Sequence, residues 1–93
     1  MTLKIFGQRV KVYRQKGLST YSDAVGYFDL DKKRIVIDAD LKGHEYEVTL
    51  LHEILESIWD RGSFSQSVNN DLKEVIIDQI SKCLVENFKF KQR

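Results

Sequence analysis

Residues 44–61 read HEYEVTLLHEILESIWDR, and the way this stretch folds decides the architecture of the chain. Val48, Leu51, Leu55, Ile58 and Trp59 recur at intervals of three and four. That is the period of an amphipathic helix rather than a strand. Gly62 supplies a C-terminal stop. On a wheel of about 100° per residue, His52 lies at the edge of the apolar stripe, with Glu56 about 40° away one turn later. Glu53 points roughly 100° from His52, toward the more open side. An imidazole and a carboxylate can thus converge on one point, with a second carboxylate beside them.

Helical His-Glu-x-x-His sites use this arrangement. Two side chains one turn apart hold a zinc ion, and the intervening glutamate polarises its water. Here the motif is His52-Glu53-Ile54-Leu55-Glu56, with a carboxylate in the second ligand's place. Carboxylate oxygen binds zinc at nearly the same distance as imidazole nitrogen. An anionic ligand lowers the Lewis acidity of the ion and admits harder metals. The plainer reading makes His52 a histidine bonded to a backbone carbonyl, with Glu53 and Glu56 as surface carboxylates. His44 starts the helix about two turns earlier, too far to share an ion, and reads as solvated.

Working outward, the N-terminal half is strand-like. Leu3–Phe6 and Val10–Tyr13 flank Gly7-Gln8-Arg9 as a hairpin, and residues 14–23 are polar and read as a loop. Ala24–Leu30 and Arg34–Asp38 form a second hairpin about the Asp31-Lys32-Lys33 turn, with Ile35 and Ile37 on one face. Four strands in local order suggest an antiparallel meander. Beyond the helix, Ser63–Ser67 is a polar connection around Phe64. Asn69 or Asn70 caps a second helix, with Asp71 in its first turn. Its period runs through Leu72, Val75, Ile76, Ile80, Cys83, Leu84 and Asn87, and a basic tail, Lys89–Arg93, follows. The expected fold is α+β: one domain over residues 1–93, a small antiparallel sheet packed against two C-terminal helices.

The 93 residues suffice for one core. A net charge of +1 gives no bulk reason to expect a nucleic-acid or membrane partner. Cys83 is the only cysteine, so no internal disulfide forms; among Ile80, Leu84 and Phe88 it reads as a core residue. No apolar run approaches membrane-spanning length, which leads us to expect a soluble, cytoplasmic protein. Lys4, Arg9, Lys11, Arg14 and Lys16, with Tyr13 among them, give the first hairpin a basic, aromatic-bearing character. The acidic first helix offsets it, and strand lysines also guard sheet edges, so nucleic acid is not the expected partner. Trp59 reads as core; Trp59 with Phe64 as an exposed anchor is the alternative.

Taken as a longer string, Gly26-Tyr27-Phe28-Asp29, Arg34-Ile35-Val36-Ile37-Asp38 and Thr49-Leu50-Leu51-His52-Glu53-Ile54-Leu55-Glu56 resemble the small zincin-like proteins of phages and mobile elements. Those are relatives of the SprT-like and ImmA/IrrE-like metallopeptidases. Several phage members carry HEIIEA or HELLEA where others have HExxH, and their last helix has a pattern matched in spacing by Glu74, Ile76, Ile80, Leu84 and Asn87. The resemblance spans residues 26–87. It implies a minimal zincin with His52 as first ligand, Glu53 as general base and Glu56 in the second ligand's place. Glu74 matches the third ligand. Asp71 and Asp78 lie within about 60° of it on one helix face, and Asp71 is the preferred alternative. The implied cofactor is zinc. Two functions follow: a metal-dependent, peptidase-like hydrolase, or a non-catalytic protein that binds and modulates a host protein. The partner is accordingly a peptide substrate or a host protein.

Overall fold

Ile35-Val36-Ile37 are almost fully withdrawn from solvent. A strand that is apolar on both faces belongs in the interior of a sheet, and this one lies there. The computed structural model describes residues 1–21, 24–61 and 69–87. Its elements are β1 (Thr2–Ile5), β2 (Gln8–Gln15), a one-turn helix α1 (Leu18–Tyr21), β3 (Gly26–Asp29), β4 (Arg34–Asp38), α2 (Gly43–Arg61) and α3 (Asn70–Asn87). The sheet order is β1-β2-β4-β3. β1 and β3 pair antiparallel with β2 and β4 respectively, and β2 runs parallel to β4.

The α+β class and the two C-terminal helices are as expected, but the sheet is mixed rather than a wholly antiparallel meander. The polar stretch after β2, read as a loop, contains α1 and carries the chain across the sheet. β4 then returns between β2 and β3. Pairing on both sides satisfies its backbone, and layers on both faces cover its side chains.

Turn chemistry fixes the hairpins. Ile5 pairs with Gln8, which leaves a two-residue loop, Phe6-Gly7, one position earlier than the turn expected. Both residues have positive φ, 50° and 78°, the signature of a type I′ turn whose twist matches the strands. In the second hairpin Asp29 Oδ1 accepts the Lys32 N–H at 3.1 Å. Asp38 is 2% exposed and accepts the N–H groups of Ser19 and Asp40 at 3.1 and 3.0 Å. Hydrogen bonds from the Ser19 side chain and the Asp40 N–H hold its carboxyl below the ordinary carboxylate range, against the effect of burial.

The main core joins Ile5, Val10, Ile35 and Ile37 of the sheet to Tyr46 and Leu50 of α2. The buried side of α2 is therefore rotated from the one its sequence period suggests: Tyr46, Leu50, Ser57 and Trp59 are buried, whereas Val48, Leu51 and Leu55 are half-buried. On α3 the buried residues are Ile77, Ser81 and Val85. Leu72, Val75 and Ile80 are exposed, and so is Cys83, contrary to its core reading. Ser57 and Ser81 bury completely because their hydroxyls bond the preceding turn, to Ile54 O and Ile77 O, both at 2.8 Å. The Asn69 cap is realised, its Oδ1 accepting the Leu72 N–H at 2.8 Å. Gly62, the connection around Phe64 and the basic tail lie outside the described residues.

Gly26 sets how closely α2 approaches β3. A Cβ there would meet Thr49 Cγ2 at 2.9 Å, closer than packed carbons allow. Gly26→Ala is expected to cost about 1–3 kcal/mol through overpacking. Adding Thr49→Ser, which removes that methyl, should recover most of the loss in urea titrations.

Candidate metal centre

α2 leaves the sheet with one turn, His52 to Glu56, beside α3. His52 Nε2 lies 3.5 Å from Glu56 Oε1. Glu74, in the second turn of α3, adds a third donor: one ligand atom from each of His52, Glu56 and Glu74 falls within 4.8 Å of the others. His52 and Glu56 are half-buried and Glu74 is exposed. An open cleft of about 330 Å³ lies alongside, lined by His52, Glu74, Val75, Asp78 and Gln79.

The expected residues are thus sorted by geometry. His52, Glu56 and Glu74 come together. Asp71 is exposed in the first turn of α3 and outside this group. Asp78 lines the cleft but pairs with Lys82 Nζ at 3.0 Å. His44 is exposed at the start of α2.

Glu53 does not face open solvent, as the wheel suggested. It is half-buried and borders β3, its Cγ 3.6 Å from where a Gly26 Cβ would stand. Burial chiefly, with the negative charges of Glu56 and Glu74 adding, pushes its carboxyl up from 4.5 to about 7, and Lys73 opposes the shift. This places a proton acceptor that titrates near neutrality one residue from His52, the property a general base requires.

Lys73 is the residue the sequence did not disclose. Its Nζ sits 2.7 Å from Glu56 Oε2 and 3.7 Å from Asp60 Oδ1. Its side chain is only 13% exposed. The hydrogen bond to Glu56 raises its pKa above the ordinary lysine value, and burial works against that. Lys73 stands four residues before Ile77 and eight before Ser81, at one end of the buried stripe of α3. With the stripe correctly phased, a lysine there must find an acid on the facing helix.

The donor set can hold an ion. Tetrahedral zinc with bonds of about 2.0–2.1 Å needs ligand atoms roughly 3.4 Å apart. The His52–Glu56 separation of 3.5 Å is close to this, whereas an oxygen of the exposed Glu74, within 4.8 Å of the other two, would have to draw nearer. No protein-family model matches the chain, and no curated protein or solved structure is similar enough to count as a match.

The Glu53 shift has a stability consequence. The folded chain keeps this proton to about pH 7, whereas the unfolded chain loses it near 4.5. The native state therefore loses stability as pH rises between those values, and the loss is complete above them. Glu53→Gln should leave stability unchanged near pH 4 and raise it by about 2 kcal/mol at pH 8, after allowance for partial solvent access. Urea melts in chelator at both pH values measure it.

Proposed function

We propose that this chain is a zincin-like metal-dependent hydrolase of the phage or mobile-element type, peptidase-like in its chemistry and working in the cytoplasm. The observation that carries the reading is the convergence of His52, Glu56 and Glu74 from two helices, with ligand atoms within 4.8 Å. The resemblance of residues 26–87 named the same three positions. Among the described residues no helix is long and apolar enough to cross a membrane.

His52 Nε2, Glu56 Oε1 and a Glu74 oxygen would hold a divalent ion, zinc by preference. When bound, such an ion supplies Lewis-acid polarisation of a water and a substrate carbonyl. The protein's own contributions are separate. Glu53 takes a proton and returns it to the leaving group, at a carboxyl held near 7 before the ion binds. Lys73 holds Oε2 of Glu56 and partly neutralises that ligand, so its ammonium competes with an incoming cation for the carboxylate. The cleft beside His52 and Glu74 is open to solvent, which suits an extended peptide better than an enclosed small molecule.

A second reading, a non-catalytic protein that binds and modulates a host protein on the same scaffold, has two observations in its favour. Lys73 already balances Glu56 without an ion. The outer side of α3 also exposes Leu72, Val75 and Ile80, which are 50%, 58% and 41% accessible, an apolar row of the kind that meets a partner.

Two measurements separate the readings. As a hydrolase, the freshly purified protein carries near-stoichiometric metal, melts lower in chelator, and loses peptide hydrolysis at least about a hundredfold on Glu53→Gln. A rate indifferent to that substitution would overturn the mechanism. Removing the competing ammonium by Lys73→Met should tighten zinc binding at least about tenfold while lowering the melting temperature of the metal-free protein. If wild type and Lys73→Met are both metal-free and melt identically with and without chelator, the hydrolase reading falls and the partner-binding one stands.

A further inference from the structure

α2 packs on one face of the sheet and α3 packs on α2, and the register defines the other face. Ile35 and Ile37 point into the core, so Arg34, Val36 and Asp38 point away from α2. Cross-strand pairing extends this face in rows. Lys4 lies beside Arg9, and Thr2 beside Lys11. Lys11 in turn lies beside Arg34, and Arg34 beside Asp29. The next row is Tyr13, Val36 and Tyr27. Towards α1 this face is closed, since Asp38 receives the Ser19 N–H and Val36 and Asp38 are each 2% exposed. Its accessible part is formed by Lys4, Arg9, Lys11 and Tyr13, with half-buried Arg34 beside them.

Two features of this face need a reason. First, Lys4–Arg9 and Lys11–Arg34 are like charges directly opposite each other, an arrangement that costs stability. Among the described residues Lys4, Arg9 and Lys11 have no ion-pair partner, and Arg34 has only Asp29 at 3.8 Å. Edge protection accounts for Lys4 alone, because Arg9, Lys11 and Arg34 stand on the interior strands β2 and β4. Second, Tyr13 is 45% exposed beside these charges, with the Arg34 guanidinium 6.0 Å from its ring centre. The sequence sets an acidic helix against the basic hairpin. The fold puts them on opposite sides of the sheet, so the carboxylates of α2 do not offset the basic rows.

We propose that the exposed part of this face binds single-stranded nucleic acid. The rows containing Lys4, Arg9, Lys11 and Arg34 take phosphates, and Tyr13 with Tyr27 offers rings on which bases stack. A backbone of regularly spaced anions relieves the like-charge pairs. Exposed aromatic rings beside the cations select unstacked bases over other polyanions. The site is independent of the metal reading, since it uses neither the cleft nor α3.

The test is fluorescence anisotropy of the full chain with a labelled oligothymidylate of about 15 nucleotides, with duplex of equal length and heparin as competitors. The expected result is saturable binding to the single strand. The logarithm of affinity should fall with the logarithm of salt at a slope of about −2 to −3, as three or four phosphate contacts require. Lys11→Glu should weaken binding at least about tenfold, and the milder Lys11→Gln should reduce the slope by about 0.7. Tyr13→Ala should weaken single-strand binding several-fold and leave the slope unchanged, an effect a purely electrostatic patch would not give. Lys82→Glu, on α3, should do nothing. Circular dichroism melts check that each variant is folded. No saturable binding at low salt overturns the proposal. So does duplex or heparin binding equal to single-strand binding together with an indifferent Tyr13→Ala.

Discussion

β4 must be covered on both faces and paired on both sides, and most of the architecture follows from that demand. Three consecutive apolar residues cannot lie at an edge or against water without exposing carbon and backbone together. α2 covers Ile35 and Ile37 through Tyr46 and Leu50, which fixes the roll of α2 about its axis. That roll places Glu53 against Gly26 and leaves His52 and Glu56 on the flank facing α3. The same demand requires a strand on each side of β4, and the parallel partner β2 brings Lys11 beside Arg34. One strand's burial thus sets both the geometry of the candidate metal centre and the composition of the opposite face.

The electrostatics of the centre are those of an anionic cluster with its own counter-ion. Three carboxylates approach one another across α2 and α3, and one ammonium, that of Lys73, is sunk among them. The repulsion and desolvation left over appear at Glu53, whose carboxyl rises to about 7. A lysine so placed lets the helices pack around the acids whether or not an ion is present. The proposed metal centre and a structural ion pair would draw on the same carboxylate, that of Glu56.

Much of this could be read from the residues, and the failures have physical causes. The α+β class and both long helices follow from period, and Asn69 is one of the two caps that cap chemistry offers. Glu74 as a companion to His52 and Glu56 comes only from the resemblance, with Asp71 as its alternative. The sheet order follows from none of these, because a polar stretch with one helical turn carries the same signal as a loop. The buried side of α3 was misphased because Ser81, a hydroxyl, interrupts the line that joins Ile77 to Val85. Leu72, Val75 and Ile80 gave a stronger apolar rhythm on a side that is exposed. Lys73 was hidden by that error, since a lysine next to an expected apolar stripe reads as solvated. Glu53 looked open because a helical wheel contains no β3.

The outer strands β1 and β3 have four residues each. A neighbouring copy laid alongside either one could form only a few main-chain bonds before running past its end. The sheet accordingly offers a poor template for growth by strand stacking, the route by which small β-containing proteins assemble into fibrils. Brevity at its margins limits the self-association that the exposed backbone of the outer strands would otherwise invite.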